Sequence, residues 1–319
     1  MSIDNEFLDS SLRPAIWDEY IGQDSIKKNL RILLGAATER GHAPEHLLFY
    51  GPPGLGKTTL ANLIAKELAS QMKVTSGPAI EKVGDLASIL TNLSSGDILF
   101  IDEIHRINKT IEEVLYPAME SRTLDIIIGK GPSARTIQLD LPAFTLIGAT
   151  TRIAMLSSPL RSRFSGGIFR LEYYTNEEIK KIVERSAGIL GVRVGDKESE
   201  AIAVRSRSTP RTANYLLRRV RDYAQVKKVD LSTNLINEAF SLLGIDEKGL
   251  NSSDISLMRT ILDKFGGGPV GLGTLAASLS EDEATLQEYN EPYLLQIGFI
   301  ERTPRGRILT KLGVDHLSK

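Results

Sequence analysis

The sequence predicts an α/β fold: a P-loop parallel-sheet domain, followed by a small helical lid domain and a C-terminal winged-helix domain. Three short apolar runs in the first half, at residues 47–50, 98–101 and 144–149, resemble buried parallel strands. From residue 173 the pattern changes to amphipathic helices, and a basic hairpin lies near the C terminus. The expected domains are therefore 1–172, with an N-terminal arm and a hairpin insertion near 124–141, then 173–245 and 246–319.

The composition excludes several kinds of protein. The 319 residues include 39 Lys and Arg against 40 Asp and Glu, so any attraction to nucleic acid must come from a local patch. No cysteine is present, which excludes disulfides, thiolate zinc sites and cysteine nucleophiles. No apolar run reaches the length of a membrane span, and residues 1–6 lack the pattern of a secretory signal. We therefore expect a cytoplasmic protein with no membrane partner.

The first apolar run leads into a phosphate-binding motif. Residues 51–59, Gly-Pro-Pro-Gly-Leu-Gly-Lys-Thr-Thr, satisfy the spacing G-x-x-x-x-G-K-[ST] and precede a helical pattern. The glycines allow the backbone to approach the phosphates, Lys57 can reach the β- and γ-phosphates, and the Thr58 hydroxyl can bind Mg²⁺. The alternative is a glycine-rich turn, which would need neither the lysine nor the hydroxyl. The motif therefore predicts a site for ATP and Mg²⁺.

The second apolar run ends in two carboxylates. Asp102 and Glu103 follow residues 98–101, at the end of a strand where α/β sheets bind their ligands. We expect Asp102 to hold Mg²⁺ through water and Glu103 to orient the attacking water. The alternative is a pair of solvated acids at a strand end. His105 is interpreted as a structural hydrogen-bonding residue rather than a metal ligand.

The third apolar run predicts further polar groups near the phosphates. Thr150 follows the strand at 144–149 and is the candidate for a hydrogen bond to the γ-phosphate. The alternative is a hydroxyl that caps the following turn, a common role for threonine. Arg161 and Arg163 come soon afterwards, and guanidinium groups suit the equatorial oxygens of a transferring phosphoryl group. Their spacing leaves open whether an arginine serves its own site or a neighbour's.

A β-hairpin is predicted between Leu124 and Leu141. Apolar residues alternate on both sides of a turn-rich centre at 129–133; they are Ile126 and Ile128 before it, and Ile137, Leu139 and Leu141 after it. Such a hairpin either packs one apolar face in the core or projects as a patch for a protein partner. Periodicity favours neither alternative.

The N-terminal arm and the lid carry further candidates. Near the N terminus, Trp17, Tyr20 and Ile21 are expected to pack an arm on the core. In the lid, Arg211 follows Pro210 at an expected helix start, where phosphates could lie.

The C-terminal hairpin is basic. Residues 301–319 contain five basic and two acidic residues, and the candidates for DNA-backbone contact are Arg302, Arg305 and Arg307. A basic surface turn with no DNA role is the alternative.

Together these residues resemble the AAA+ ATPases, most closely the members that drive branch migration of Holliday junctions. The resemblance covers nearly the whole chain. Its motifs are residues 12–14 and 19–23, 51–59 as Walker A, 102–106 as Walker B, 148–152 as sensor 1, Arg163 as arginine finger, 209–211 as sensor 2, and 302–307.

The resemblance implies a set of roles. Arg163 would act in trans on ATP held by the adjacent subunit, Arg211 would sense the γ-phosphate, and Asp102 and Thr58 would hold the metal. The expected catalytic residues are Lys57, Asp102, Glu103, Thr150, Arg163 and Arg211. The expected nucleotide-binding residues are Leu12, Arg13, Tyr20, Ile21, Gly54, Leu55, Gly56, Lys57, Thr58, Thr59, Tyr174 and Arg211.

The resemblance also implies partners. A homo-hexameric ring would load on double-stranded DNA at Holliday junctions, the hairpin near 124–141 would dock a RuvA-type protein, and a RuvC-type resolvase is a possible further partner. The sequence departs from the family at Ser208, where glycine is expected, at residues 165–167, and at Glu301.

Two other functions compete with a motor. An initiator or clamp-loader-like protein also joins this ATPase to a winged helix, but it uses ATP as a switch to hold one conformation. A non-enzymatic DNA-binding protein with a degenerate pocket is the other, and the intact Lys57, Thr58, Asp102 and Glu103 argue against it.

Overall fold

A computed structural model describes residues 11–128 and 135–318. The chain divides after Tyr174 into an N-terminal and a C-terminal unit. Among the described residues, no helix is long and apolar enough to cross a membrane.

The N-terminal unit contains a parallel sheet of five strands, which are β1 (Leu47–Tyr50), β2 (Met72–Ser76), β3 (Ile98–Asp102), β6 (Thr145–Thr150) and β7 (Gly167–Arg170). Their order in the sheet is β2-β3-β6-β1-β7. The three predicted apolar runs form β1, β3 and β6, which lie side by side and are almost wholly buried. Because the pairing is parallel, the polar residues that follow these strands reach the same edge of the sheet.

Helices cover this sheet. They are α1 (Asp24–Arg40), α2 (Lys57–Glu67), α3 (Val83–Thr91), α4 (Lys109–Glu120) and α5 (Ser158–Ser162). Helix α2 begins directly after the glycine-rich loop, because Gly56 has a φ of 98° that brings the chain into the helix. In the N-terminal arm, Trp17 and Tyr20 are buried as predicted, and Ile21 is half-buried.

The predicted hairpin is formed by β4 (Thr123–Ile128) and β5 (Arg135–Asp140). These strands pair with each other and, among the described residues, with no other strand. The base of the hairpin is anchored by Leu124 and Leu141, which are buried in the core. Farther along β5, Ile137 is 45% exposed. The base therefore packs in the core and half-buried Leu139 packs against it, whereas Ile137 is exposed. The predicted turn centre and the side chains of Ile126 and Ile128 lie outside the described residues.

The C-terminal unit begins with the helices α6 (Asn176–Ile189), α7 (Asp196–Val204), α8 (Pro210–Lys227) and α9 (Thr233–Leu242). Thr175 and Glu178 form a capping box at the start of α6. The predicted apolar stripe of α8 is buried; it consists of Ala213, Leu216, Leu217, Val220 and Ala224.

The rest of this unit has winged-helix elements. They are α10 (Ser252–Arg259), α11 (Leu272–Leu279), α12 (Glu283–Thr285), α13 (Glu291–Gln296), β8 (Ile300–Thr303), β9 (Gly306–Leu309) and α14 (Lys311–Leu317). The pairing of β8 with β9 confirms the predicted basic hairpin. The sequence did not predict α14, a short helix that begins at the Thr310 cap.

The loop between α7 and α8 contains two consecutive residues in the left-handed region. Arg207 has a φ of 54° and Ser208 a φ of 55°. Neither residue is glycine, so each adopts a conformation that its Cβ disfavours. Ser208 is the position at which the family resemblance led us to expect glycine.

We therefore expect Ser208→Gly to stabilise the protein. The free energy of unfolding should rise by about 0.5–1 kcal/mol, since relief of the strained φ exceeds the entropy that glycine adds to the unfolded chain. Calorimetry should show the melting temperature about 2 °C higher. As a control, Ser256→Gly within α10 should lower stability by a similar amount. A Ser208→Gly variant that melts below the wild type would contradict the strain argument.

Candidate nucleotide site and winged-helix surface

The glycine-rich loop is shaped to receive an anion. Gly51 has a φ of 142°, and a Cβ built there would lie 2.6 Å from the carbonyl oxygen of Leu171. Only glycine fits so close an approach. Among the described residues, no side chain caps the N terminus of α2, where backbone N–H groups and the helix dipole favour negative charge. Gly54, Thr58 and Thr59 are half-buried around this cradle.

Lys57 is held inside the loop. Its ammonium group donates hydrogen bonds to the carbonyl oxygens of Gly51 at 2.8 Å and Pro52 at 2.9 Å, and the residue is only 7% exposed. The charge therefore already lies at the cradle. Phosphate oxygens, which are stronger acceptors for a cation than carbonyl oxygens, can replace these partners.

Two tyrosine hydroxyls lie beside the backbone of the phosphate loop. The Tyr174 hydroxyl lies 3.2 Å from the carbonyl oxygen of Leu55 and 3.2 Å from the Tyr20 hydroxyl. Burial, and then the neighbouring Tyr174, raise the pKa of Tyr20 well above its ordinary value, so the Tyr20 hydroxyl acts as a neutral hydrogen-bonding group. Tyr174 is the last residue of the N-terminal unit, so this contact ties the phosphate loop to the point where the unit ends.

The remaining residues expected around the nucleotide base differ in exposure. Leu12 is buried, Ile21 is half-buried and Arg13 is exposed. Leu12 and Arg13 lie on the segment that leads into Tyr20, and Ile21 follows Tyr20 directly. The contact of Tyr20 with Tyr174 holds this part of the chain beside the loop.

Glu103 is fixed at the end of β3 by three contacts. Its Oε2 accepts hydrogen bonds from the backbone N–H of Thr151 at 3.1 Å and the Thr151 hydroxyl at 3.0 Å, and lies 3.2 Å from Nδ1 of His105. Glu103 also has a φ of 46°, a left-handed conformation found at functional sites. These contacts hold one oxygen of the carboxylate in a defined position.

Thr150 has a different environment. It is fully buried, and its hydroxyl lies 2.9 Å from Nδ1 of His105 and accepts a hydrogen bond from the Arg152 N–H at 3.0 Å. This second bond is the turn-capping role that the sequence left as the alternative, and a role of Thr150 at the γ-phosphate stays a prediction. The residue that contacts Glu103 is Thr151, which we did not predict. The only signal in the sequence was its place beside Thr150 at the end of the strand.

His105 is a structural hydrogen-bonding residue, as predicted. Burial lowers the pKa of His105 below its ordinary value, although Glu103 opposes the shift. The imidazole is therefore mainly neutral at pH 7. Within 11–128 and 135–318, no group of three or more His, Cys, Asp or Glu side chains could hold a metal ion.

The oxygen donors expected for Mg²⁺ are nevertheless suitable. Thr58 lies in the first turn of α2 and Asp102 ends β3, and a hydroxyl with a carboxylate is the partial oxygen shell that Mg²⁺ takes beside phosphates and water. Oδ1 of Asp102 accepts a hydrogen bond from the Glu103 N–H at 3.0 Å, which orients the carboxylate. These residues fit the metal.

Arg163 is packed within its own protomer. Its guanidinium lies 4.3 Å from the centre of the Tyr116 ring, pairs with Glu120 at 3.1 Å and donates to the carbonyl oxygen of Pro159 at 2.7 Å. The Nε atom is buried without a hydrogen-bond partner among the described residues. An unsatisfied buried donor on an otherwise well-held arginine indicates that this position does not satisfy the side chain fully.

Arg211 belongs to the C-terminal unit. It lies in the first turn of α8, after Thr209, whose hydroxyl accepts a hydrogen bond from the Thr212 N–H and caps the helix. Its side chain is exposed. The predicted helix start at Pro210 is thus confirmed, while the role of Arg211 stays a prediction.

The three arginines of the C-terminal hairpin are not equivalent. Glu291, which is 1% exposed, accepts from the Nε of Arg307 at 2.6 Å and from the Nε of Arg302 at 2.9 Å. Arg307 is mostly covered, Arg302 is half-exposed and Arg305 is exposed. The sequence did not indicate this carboxylate, which lies on α13 outside the hairpin.

Comparison with known proteins gives a consistent result along the chain. Three family models match it: the Holliday junction DNA helicase RuvB P-loop domain over 12–171, the RuvB AAA lid domain over 174–246 and the RuvB C-terminal winged helix domain over 247–318. The Holliday junction branch migration complex subunit RuvB of Dehalococcoides mccartyi (strain CBDB1) is 58% identical over 316 residues, 99% of this chain and 90% of the relative.

Solved structures agree with this result. The Thermotoga maritima RuvB Holliday junction branch migration motor is 49% identical, covers 97% of this chain and 98% of its own, and superposes with a TM-score of 0.88. An alanine-to-serine variant of that protein gives 0.89.

The contrast between the two threonines gives a direct test. Thr151→Val removes one hydrogen bond to Glu103, so we expect kcat for ATP to fall about tenfold with KM nearly unchanged. Thr150→Val should mainly lower the melting temperature, because it removes buried hydrogen bonds with His105 and the Arg152 N–H and none made directly to the carboxylate. Steady-state phosphate release and calorimetry measure both. A larger loss of kcat in Thr150→Val would instead identify Thr150 as the residue that acts at the site.

The hairpin arginines give a second test. Arg305→Ala should weaken duplex binding and reduce the salt dependence of the affinity by about one unit of slope. Arg307→Ala should instead lower the free energy of unfolding by about 1–3 kcal/mol, because buried Glu291 loses one of two partners. Binding titrations at several salt concentrations, with thermal melting, separate these effects. Equal salt slopes for the wild type and Arg305→Ala would contradict the assignment.

Proposed function

Because this chain belongs to the RuvB family, we propose that it works as the ATP-hydrolysing motor of a branch-migration complex that moves four-way DNA junctions in recombination and repair. The observation that carries this function is the family match over the whole chain, combined with an intact phosphate loop and a fixed Glu103 on one edge of the sheet. The substrates are ATP and double-stranded DNA at Holliday junctions. We assign domains at 1–172, 173–245 and 246–319.

The residues of the N-terminal unit would divide the work of hydrolysis. The cradle before α2 binds the phosphates, and Lys57 exchanges its carbonyl partners for phosphate oxygens. Thr58 and Asp102 would hold Mg²⁺, which neutralises negative charge on the phosphates. Glu103 would orient the attacking water through Oε1, since Oε2 accepts the hydrogen bonds from Thr151.

Arg163 is proposed to complete the site of the adjacent subunit. Its resting contacts are to the exposed carboxylate of Glu120, the Tyr116 ring and a carbonyl oxygen, and its Nε is unsatisfied. A phosphoryl group on a neighbouring protomer offers a guanidinium more charge than these partners do. Arg211 would act from α8 as the sensor of the γ-phosphate.

The assembly is proposed from the family resemblance and one surface. We propose a homo-hexameric ring that acts with a RuvA-type protein, docked on the exposed part of the hairpin around Ile137. A RuvC-type resolvase would act on the same junction. The half-exposed Arg302 and the exposed Arg305 of the winged-helix hairpin would follow DNA phosphates without reading bases, as a motor on any sequence requires.

The function is tested by migration of a synthetic four-way junction. With a RuvA-type partner and ATP, the wild type should separate the junction into two duplexes over many turnovers. Lys57→Ala should abolish both hydrolysis and migration, because the loop loses the cation that binds the phosphates. Lys66→Ala, on the far turn of α2, is the matched control and should retain both activities.

Two results would contradict this function. The first is a single turnover followed by a stable complex on DNA, which would favour the initiator-like switch. The second is junction separation by Lys57→Ala at the wild-type rate.

A further inference from the structure

The strained loop between α7 and α8 makes buried contacts with the winged-helix part of the chain. Arg207 extends from this loop and pairs through Nη1 with Oδ2 of Asp254 at 3.1 Å. Asp254 is 0% exposed and the Arg207 side chain 14%. Such a pair is costly to break, because removing one partner leaves an uncompensated buried charge.

Two tyrosine rings lie against the Arg207 guanidinium. It lies 4.8 Å from the centre of the Tyr293 ring and 5.5 Å from that of Tyr289, and it donates to the carbonyl oxygen of Tyr289 at 3.2 Å. Lysine cannot reproduce this combination of stacking and forked hydrogen bonding. Arg207 is therefore bound by charge, by stacking and by the backbone.

Asp254 is also tied to the winged-helix elements. It closes the capping box of Asn251 at the start of α10, and its Oδ1 accepts from the Asn290 side chain at 2.8 Å. One carboxylate thus joins the loop, the first helix of the winged-helix part and the segment that leads into α13.

A second contact runs beside the first. Arg205 donates through Nε to the carbonyl oxygen of Asp246 at 3.1 Å and through Nη2 to Asn237 on α9 at 3.0 Å. The backbones also touch, since a Cβ built at Gly249 would lie 2.4 Å from the carbonyl oxygen of Arg205. The loop therefore has two fixed points on the segment 246–254.

The loop held by these contacts leads directly into α8. Thr209 caps α8 immediately after Ser208, and Arg211 lies in the first turn of that helix. A loop with free rotation would absorb a displacement of α8, whereas this one is held at Arg205 and Arg207 to the winged-helix part.

We propose that Arg207 is a positioning residue that couples the nucleotide-sensing helix α8 to the winged-helix part. When α8 is displaced during ATP turnover, the Arg207–Asp254 contact carries the DNA-binding hairpin with it. This inference rests on the proposed function, because it assigns the mechanical link of the same motor.

The test measures hydrolysis and junction migration in one reaction. Arg207→Lys keeps the positive charge beside Asp254 but loses the fork and the stacking. We expect ATP hydrolysis within about twofold of the wild type, and junctions moved per ATP to fall about tenfold. The exposed Arg193→Ala, in the same unit, is the control and should keep the wild-type ratio.

A purely structural role would give a different result. Hydrolysis and migration would then fall together, the ratio would stay constant, and the coupling role would be overturned. If Arg207→Lys melts before the assay temperature, Tyr289→Ala replaces it, since Tyr289 is 57% exposed and supplies one of the two stacking rings. This variant should lower the ratio less, and an unchanged ratio would overturn the inference.

The two proposals fail in distinguishable ways. If the wild type moves junctions and Arg207→Lys moves as many junctions per ATP, the inference alone is overturned. A wild type that hydrolyses ATP but moves no junction overturns the proposed function and the inference together.

Discussion

The parallel pairing of β1, β3 and β6 is the constraint on which the nucleotide site depends. It brings the start of the phosphate loop, two carboxylates and two threonines to one edge of the sheet, although they are separated by many residues in the chain. At that edge the buried strands end and polar groups can meet. The contacts of Glu103 with Thr151 and His105 are the chemical result of this placement.

Local patterns predicted much of this arrangement. The phosphate loop, the three central strands, the hairpin, the start of α8 at Pro210 and its buried stripe all follow from short motifs and from periodicity. Such features depend on neighbours along the chain, which is why a single sequence shows them.

The features that the sequence did not predict depend on contacts between distant residues. Thr150 and Thr151 are alike in sequence, and only the direction of each side chain at the end of β6 separates a buried turn cap from a partner of Glu103. Arg302 and Arg307 look like equivalent surface cations until Glu291 is placed between them. The role of Arg207 was likewise hidden, because Asp254 and Tyr289 reach it only through the fold.

Arginine has several physical roles in this protein. Arg207 and Arg307 compensate buried carboxylates, where truncation leaves an unpaired charge. Arg305 is exposed, and its contribution to DNA binding would be screened by salt. Arg163 lies between these cases, since its pairing with exposed Glu120 contributes little stability and leaves Nε unsatisfied. The proposed site shared between subunits would require the Arg163 guanidinium to exchange these contacts for a phosphoryl group bound by the adjacent subunit.

The central claim, that one subunit binds ATP and the next supplies Arg163, is tested most directly by mixing two inactive variants. Lys57→Ala keeps Arg163 but lacks the phosphate-binding cation, and Arg163→Ala has the opposite defect. If the site is shared, mixed rings contain interfaces with both residues intact, and phosphate release returns on mixing. If each protomer hydrolyses ATP with its own arginine, the mixture stays as inactive as its components, and that result would contradict the account.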